Sequence, residues 1–391
     1  MTERGEKAAS WLEDQGPAME ETLARLVNIN SFTENVGGGN EVGTILLELF
    51  RDVGLDARVE PSRAFANHLV FASHSSLKAS PVALVGHLDT VFPPGTFEGY
   101  SRDAELARGP GVLDMKGGLT TILFALRSLS KTGGLAGMVP VRIVIVADEE
   151  VGSPEGQKVI QRAVDGCRAC LVFEAGRAKD AIITRRKGTG AVTVRAHGVA
   201  AHAGNHHAEG KNAIWALSVF IDRVQRLTDP LRGVTVNVGK VLGGQGRNTV
   251  PDRADAWVDV RFCSRQDGES TLALLQDAAL AAAASVPGTR LELEGGIARL
   301  PLERTPESHA LYLEYSASAR ASGLGGEEAP LIGGGSDAST SSALGIPSID
   351  GLGPRGNGFH TKDEHIEIRS LVPKAQALGR FLAAASSSSP K

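Results

Sequence analysis

The residues best placed to do chemistry in this chain are histidines and carboxylates where apolar runs end. His87-Leu88-Asp89 follows the run Val82-Ala-Leu-Val-Gly86. The acidic triplet Asp148-Glu149-Glu150 follows Val141-Arg-Ile-Val-Ile-Val146, and Glu174 follows Leu171-Val-Phe173. Asp114 lies in the glycine-rich loop 109–118, and His360 comes after a late apolar run at 346–349. Ligands bind at the carboxyl ends of strands in an open α/β sheet, so one sheet edge would collect two imidazoles and several carboxylates. Asp114, Glu150 and Glu174 packed together repel unless cations neutralise them. Two divalent ions would balance three carboxylates and a hydroxide. Imidazole and carboxylate donors without thiolate suit Zn²⁺, and also Co²⁺ or Mn²⁺. A solvated rim of ordinary polar residues is the plain alternative. It accounts easily for one acid at a strand end and poorly for His or carboxylate on every one of these segments.

The elements that must position these groups follow from hydrophobic period. Val42, Ile45, Leu46, Leu49, Phe50 and Val53 share one helical face, as do Leu119, Ile122, Leu123, Leu126 and Leu129. The short unbroken apolar runs between them read as buried strands, so the expected fold class is α/β, with a largely parallel sheet flanked by helices. From Ala191 the strands alternate apolar and polar, which suits sheets with one wet face. The order there is β-α-β-β-α-β, the ferredoxin-like arrangement. After Pro301 the first style returns, with a helix near 309–322, the loop Gly333-Gly-Gly-Ser-Asp337 and a closing helix through Leu371, Leu378 and Leu382. The expected division is residues 1–187 and 301–391 as one α/β domain, with 188–300 as an inserted α+β domain.

Composition narrows the function classes. The 391 residues carry a net charge of −4 and are 42% hydrophobic and 22% charged. That excludes disorder as the main state and supplies no basic excess for nucleic acid or an anionic membrane. Three cysteines cannot build a disulfide framework. Cys167-Arg-Ala-Cys170 has no second pair for a zinc site and reads as buried structural thiols. The start MTERGEKAAS lacks the apolar core of a signal peptide, and the expectation is a soluble cytoplasmic protein. No GxSxG elbow supplies a serine nucleophile. The 47 glycines exceed the usual ~7%, and many of them flank the candidate residues.

Taken together, GHLDT at 86–90, GPGVLDMKGG at 109–118, DEEVGS at 148–153, GVAAHAG at 198–204 and GGGSDA at 333–338 resemble the M20 metallopeptidases, most closely the glutamate carboxypeptidase type. The resemblance runs from LVNINSFT near the N-terminus to HTKDEHIEI at 360–368. It implies a di-zinc exopeptidase fold whose inserted domain mediates a homodimer. It implies that His87 binds one metal with Glu174, that His360 binds the other with Glu150, and that Asp114 bridges them, followed by a cis peptide at Asp114–Met115. Glu149 would be the general base and Asp89 would orient the His87 ring. His202 would stabilise the oxyanion from a partner subunit. Arg261, Asn248 and the backbone of Gly334 and Gly335 match substrate-binding positions, although by residue type alone Arg261 could equally pair with Asp259 or Asp255.

The implied reaction is hydrolysis of the amide bond of a small peptide or N-acyl amino acid by a metal-activated water. Glu at position 174 goes with carboxypeptidases, acylases and deacetylases among relatives. The alternatives are aminopeptidase, carbamoyl hydrolysis or aromatic amine deamination at the same site, or an inactive dimeric scaffold. A scaffold would be expected to have lost a ligand or the base, and none is missing.

Overall fold

The unbroken apolar run at 82–87 has no wet face, and the strand Val82–His87 is buried along its whole length. It pairs in parallel with Val141–Val146 on one side and Ala169–Val172 on the other. Ser348–Ile349 continues the parallel set beyond Ala169–Val172. At the opposite edge His68–Ser73 runs antiparallel to Val141–Val146, and Leu55–Glu60 antiparallel to His68–Ser73. The sheet is therefore largely parallel, with an antiparallel pair on one edge.

The computed structural model describes residues 2–387. The chain up to Arg185, Arg304–Leu331 and the residues from Ser336 onward form one unit; Arg186–Glu303 with Ile332–Gly335 form a second. No helix among the described residues is long and apolar enough to cross a membrane.

In the first unit, helices including Val36–Asp52, Lys116–Gly133, Pro306–Ala321 and Leu371–Ser387 supply cover. Their apolar faces and the sheet share one core. Lys116–Gly133 is buried on nearly every side. Its first turn approaches the neighbouring strand so closely that a Cβ on Gly118 would lie 2.1 Å from the Phe173 carbonyl oxygen, so only glycine fits there.

A second, small antiparallel sheet in this unit has no counterpart in the sequence reading. It is formed by Ser101–Asp103, Leu106–Arg108, His365–Glu367 and Gly356–Asn357. Strands of two or three residues leave no readable period. This sheet corrects the placement of His360. The residue does not cap the late parallel strand; it sits in the loop joining Gly356–Asn357 to His365–Glu367.

The second unit has its own core. Its order is Gly188–His197, helix Ala213–Gln225, Thr235–Gly243, Arg253–Phe262, helix Arg265–Ser285, Arg290–Arg299. The four main strands are antiparallel, with the first and third in the middle of the sheet. This is the ferredoxin-like topology. Gly188–His197 and Arg253–Phe262 alternate between buried and partly exposed residues, as a sheet with helices on one face requires. Ile332–Gly335 attaches here: Lys187 N–H donates to Ile332 O at 2.9 Å, and Arg186 Nη1 to Gly334 O at 3.3 Å.

Candidate metal centre

Strand register brings the first groups together. Val85 lies opposite Val172, so His87 and Glu174, each two residues further on, leave the sheet at the same level. His87 itself lies opposite Val146, after which the chain turns through Asp148 into the short 3₁₀ turn Glu149–Val151. Asp114 arrives from the Leu106–Arg108 strand through a loop in which Gly111 has φ +81°, a left-handed turn that suits glycine. The peptide bond Asp114–Met115 is cis, as the family resemblance implies. His360 adopts φ +63°, an uncommon conformation for a residue with a side chain.

The distances sort these side chains into two sets around one carboxylate. Asp114 Oδ1 lies 3.3 Å from His87 Nε2, whose ring is 3.7 Å from Glu174 Oε1. Asp114 Oδ2 lies 3.4 Å from His360 Nε2, whose ring is 3.1 Å from Glu150 Oε2. Each oxygen of Asp114 thus faces a different imidazole, and each imidazole has its own glutamate. Donor atoms of His87, Asp114 and Glu150 fall within 4.8 Å of one another, as do those of His87, Glu149 and Glu174. All belong to the first unit.

Electrostatics mark the cost of this arrangement. Burial opposes the charge on Asp114, but hydrogen bonds to His360 and His87 hold its carboxyl well below the usual range. Burial and the nearby Asp114 charge push Glu174 well up. Burial, with Asp114 adding to it, also raises Glu150. Burial disfavours the charged His87 ring, yet Asp114, Asp89 and Glu174 keep its pKa well above the ordinary imidazole value. Hydrogen bonds to Asp114 and Glu150 raise His360 to about 10. The donor set is hard oxygen and imidazole nitrogen without thiolate, spaced around a carboxylate that offers one oxygen to each side. It fits two divalent ions.

Two buried carboxylates brace the segments that carry these side chains. Asp89 accepts the backbone N–H of Glu149 through Oδ1 and of Glu150 through Oδ2, both at 3.2 Å, and a 2.8 Å hydrogen bond from Thr33 Oγ1. His87 Nδ1 is 3.1 Å from the Asp89 carbonyl oxygen and 3.4 Å from its carboxylate. Asp89 therefore orients the ring largely through its backbone, while its side chain fixes the acidic turn. Glu364, which the sequence reading did not single out, is 1% exposed. It accepts the N–H groups of Gly111 at 3.2 Å, Leu113 at 2.9 Å and Asp114 at 3.0 Å. Burial lifts its pKa to about 7 despite these donors. Its place four residues after His360, inside HTKDEHIEI, was the available signal.

The remaining candidates lie in the second unit. His202, on the two-residue strand Ala201–His202, is exposed. Its Nδ1 accepts the N–H groups of Gly204 at 3.2 Å and Asn205 at 3.0 Å. In the neutral ring the proton is then on Nε2. Asn248 joins it, since its carbonyl accepts from Ala203 N–H at 3.0 Å and Thr249 pairs with His202. The Arg261 fork is engaged by Asp259, at 2.9 Å through both Nε and Nη2. A Cβ on Gly333 or Gly334 would meet nothing within 4 Å, whereas one on Gly335 would come within 3.1 Å of Arg299 Cδ. Cys167 and Cys170 are buried free thiols, raised by burial to about 11 and about 12, which suits packing rather than redox chemistry.

A carboxylate with an imidazole facing each of its oxygens, beside the carboxyl ends of parallel strands, is an arrangement that could hold divalent ions. The sequence profile of peptidase family M20/M25/M40 matches residues 83–384, and the chain belongs to that family and is a hydrolase acting on peptide or amide bonds. It is 27% identical over 379 residues to carboxypeptidase G2 of Pseudomonas sp. strain RS-16, covering 94% of this chain and 89% of that one. Among solved structures it shares its fold with a tripeptidase from Staphylococcus aureus, at a TM-score of 0.80 and 24% identity, with 95% of this chain and 99% of that one aligned. It also shares its fold with a dinuclear metal-binding M20 peptidase from Bacillus subtilis, at a TM-score of 0.72 and 13% identity, over 96% and 99% of the two chains.

Replacing Glu364 tests the bracing role. Glu364→Ala leaves three buried N–H groups without their acceptor, each costing about 1–3 kcal/mol. Urea unfolding is expected to show a loss of at least about 2 kcal/mol. A change within about 0.5 kcal/mol, the usual size for a surface site, would contradict it.

Proposed function

We propose that the protein is a two-metal carboxypeptidase or acylase. It would cleave the amide bond of small peptides or N-acyl amino acids whose leaving side keeps a free carboxylate. The observation that carries this reading is the double pairing of Asp114 with His87 through one oxygen and His360 through the other. His87, Glu174 and Asp114 would hold one divalent ion; His360, Glu150 and Asp114 the second, with Zn²⁺ the best match to the donors and Co²⁺ or Mn²⁺ acceptable. Bound there, the ions would supply acidification of a water and polarisation of the scissile carbonyl.

The chain's own residues do the rest. Glu149 neighbours the ligand Glu150 on a turn held by Asp89. It takes a proton from the attacking water and delivers it to the leaving amine. Asp89 keeps the His87 ring and this turn in place. His202, from a second copy of the chain, offers its Nε2–H to the developing oxyanion. Arg261 and Asn248, with the backbone of Gly334 and Gly335, bind the substrate carboxylate, which would replace Asp259 on the arginine fork. The relation to carboxypeptidase G2 over most of both chains and the glutamate at position 174 support the carboxylate-retaining substrate class.

Dimer formation is assigned to the second unit, with residues 188–300 as the inserted domain and 1–187 and 301–391 as the catalytic one. Thr235–Gly243 is an edge strand that exposes Val241 and Leu242. Beside it, a Cβ on Gly243 or Gly244 would lie 3.2 Å from the Ile214 side chain, and Trp215 is 57% exposed. Apolar residues on an open edge invite pairing with a like edge. With only three cysteines and no disulfide framework to maintain, the chain suits the cytoplasm.

Two experiments test this reading. Glu149→Gln removes a proton shuttle but no ligand, so kcat is expected to fall about 10²–10⁴-fold with ion content unchanged. The panel is N-acyl amino acids, dipeptides, their C-terminal amides, carbamoyl amino acids and aryl amines. Loss of less than about tenfold in rate, or wild-type activity confined to substrates with a free N-terminus, would contradict it. For the dimer, light scattering is expected to find two copies in the wild type and one in a Trp215→Glu, Leu242→Lys variant. A monomeric wild type or an unchanged variant would overturn that assignment.

A further inference from the structure

Away from this centre the first unit holds a pocket of ≈ 460 Å³ beside the strand ends at Glu60 and His68 and the first turn of the helix Gly156–Val164. That volume lies within the range of small-molecule sites. Its wall carries the cations Arg63, Lys158 and Arg162 and the carboxylates Glu60 and Glu155, and His68 contributes to its lining.

The His68 ring is 1% exposed. Ala147 donates its backbone N–H to Nδ1 at 3.2 Å. A nitrogen that accepts cannot also bear the proton of a neutral ring, so Nε2 is the donor. Nε2 is buried and has no hydrogen-bond partner among the described residues. Buried donors are nearly always satisfied, and an orphan asks what satisfies it.

The acids in the wall are already committed. Glu60 lies between Arg58 at 2.8 Å and Arg162 at 3.0 Å. Glu155 accepts the backbone N–H of Arg63 at 3.0 Å. The first donors of the helix are committed as well, because Asp148 Oδ2 accepts from Glu155 N–H at 2.8 Å and Gly156 N–H at 3.0 Å. Among the described residues, the side chains of Arg63 and Lys158 are paired with no carboxylate. Beside the two exposed cations the pocket is therefore lined by a buried histidine whose Nε2 has no partner among the described residues. That combination recognises an acceptor-rich anion with oxygens to share among them.

We propose that this pocket binds a small oxyanion, a phosphate or a carboxylate, through His68 Nε2–H, Arg63 and Lys158. Its inner wall adjoins the acidic turn: the residue that donates to His68, Ala147, directly precedes Asp148-Glu149-Glu150.

Isothermal titration of the full-length, metal-loaded protein tests this, with inorganic phosphate and malonate as separate probes. Saturable binding of one or both is expected, and which probe binds distinguishes the two sources of the oxyanion. A variant with Arg63→Gln and Lys158→Met, both exposed positions, is expected to weaken binding at least tenfold. His68→Phe is expected to do the same; should it fail to fold, the surface variant still decides. No saturable binding of either probe below about 10 mM would overturn the proposal, with water then the partner of His68. Binding that the surface variant leaves unchanged would also overturn it, by placing the anion elsewhere, such as the metal centre.

Discussion

Carboxylates from three separate segments, Asp114 among them, meet two imidazoles, and most of these groups are shielded from water. Like charges about 4 Å apart repel by about 4 kcal/mol at the effective dielectric of a protein surface. The upward push on Glu150 and Glu174 comes first from burial, and the Asp114 charge adds to it. Bound divalent cations would offset this cost, and each oxygen of Asp114 faces a different imidazole. Protons on His87 and His360 would compete with metal ions for the same nitrogens, so ion uptake would release protons.

The scaffold meets the constraint by cross-bracing. Asp89, two residues after His87, does not merely serve that ring; its carboxylate holds the turn of Glu149 and Glu150. Glu364, four residues after His360, holds the loop that delivers Asp114. Each brace is close in sequence to one of the two histidines and holds a segment that carries a carboxylate of the cluster. These hydrogen bonds tie together side chains that come from distant parts of the chain.

Much of this could be read from residue order. The buried strands at 82–87, 141–146 and 169–172, and hence the places of His87, Glu150 and Glu174, follow from unbroken apolar runs. The β-α-β-β-α-β order of the second unit follows from alternation. What escaped reading has a common cause. The small sheet under Asp114 and His360 is built from strands too short to show a period, so His360 was assigned to the wrong strand end. Glu364 looks like any loop acid until its three backbone donors are seen. The second task of Asp89 depends on the approach of a segment some 60 residues away. His68 and its pocket involve contacts that no local pattern encodes.

The central claim is that Asp114 serves two ions at once. Metal analysis of the purified protein, stripped with chelator and titrated back with Zn²⁺ or Co²⁺, tests it most directly when wild type and Asp114→Asn are compared. The account expects two ions per wild-type chain, each raising the melting temperature because it binds only the native state. In Asp114→Asn both ions should be weakened together. A wild type that binds a single ion, or an Asp114→Asn variant that keeps both with unchanged affinity, would contradict the account.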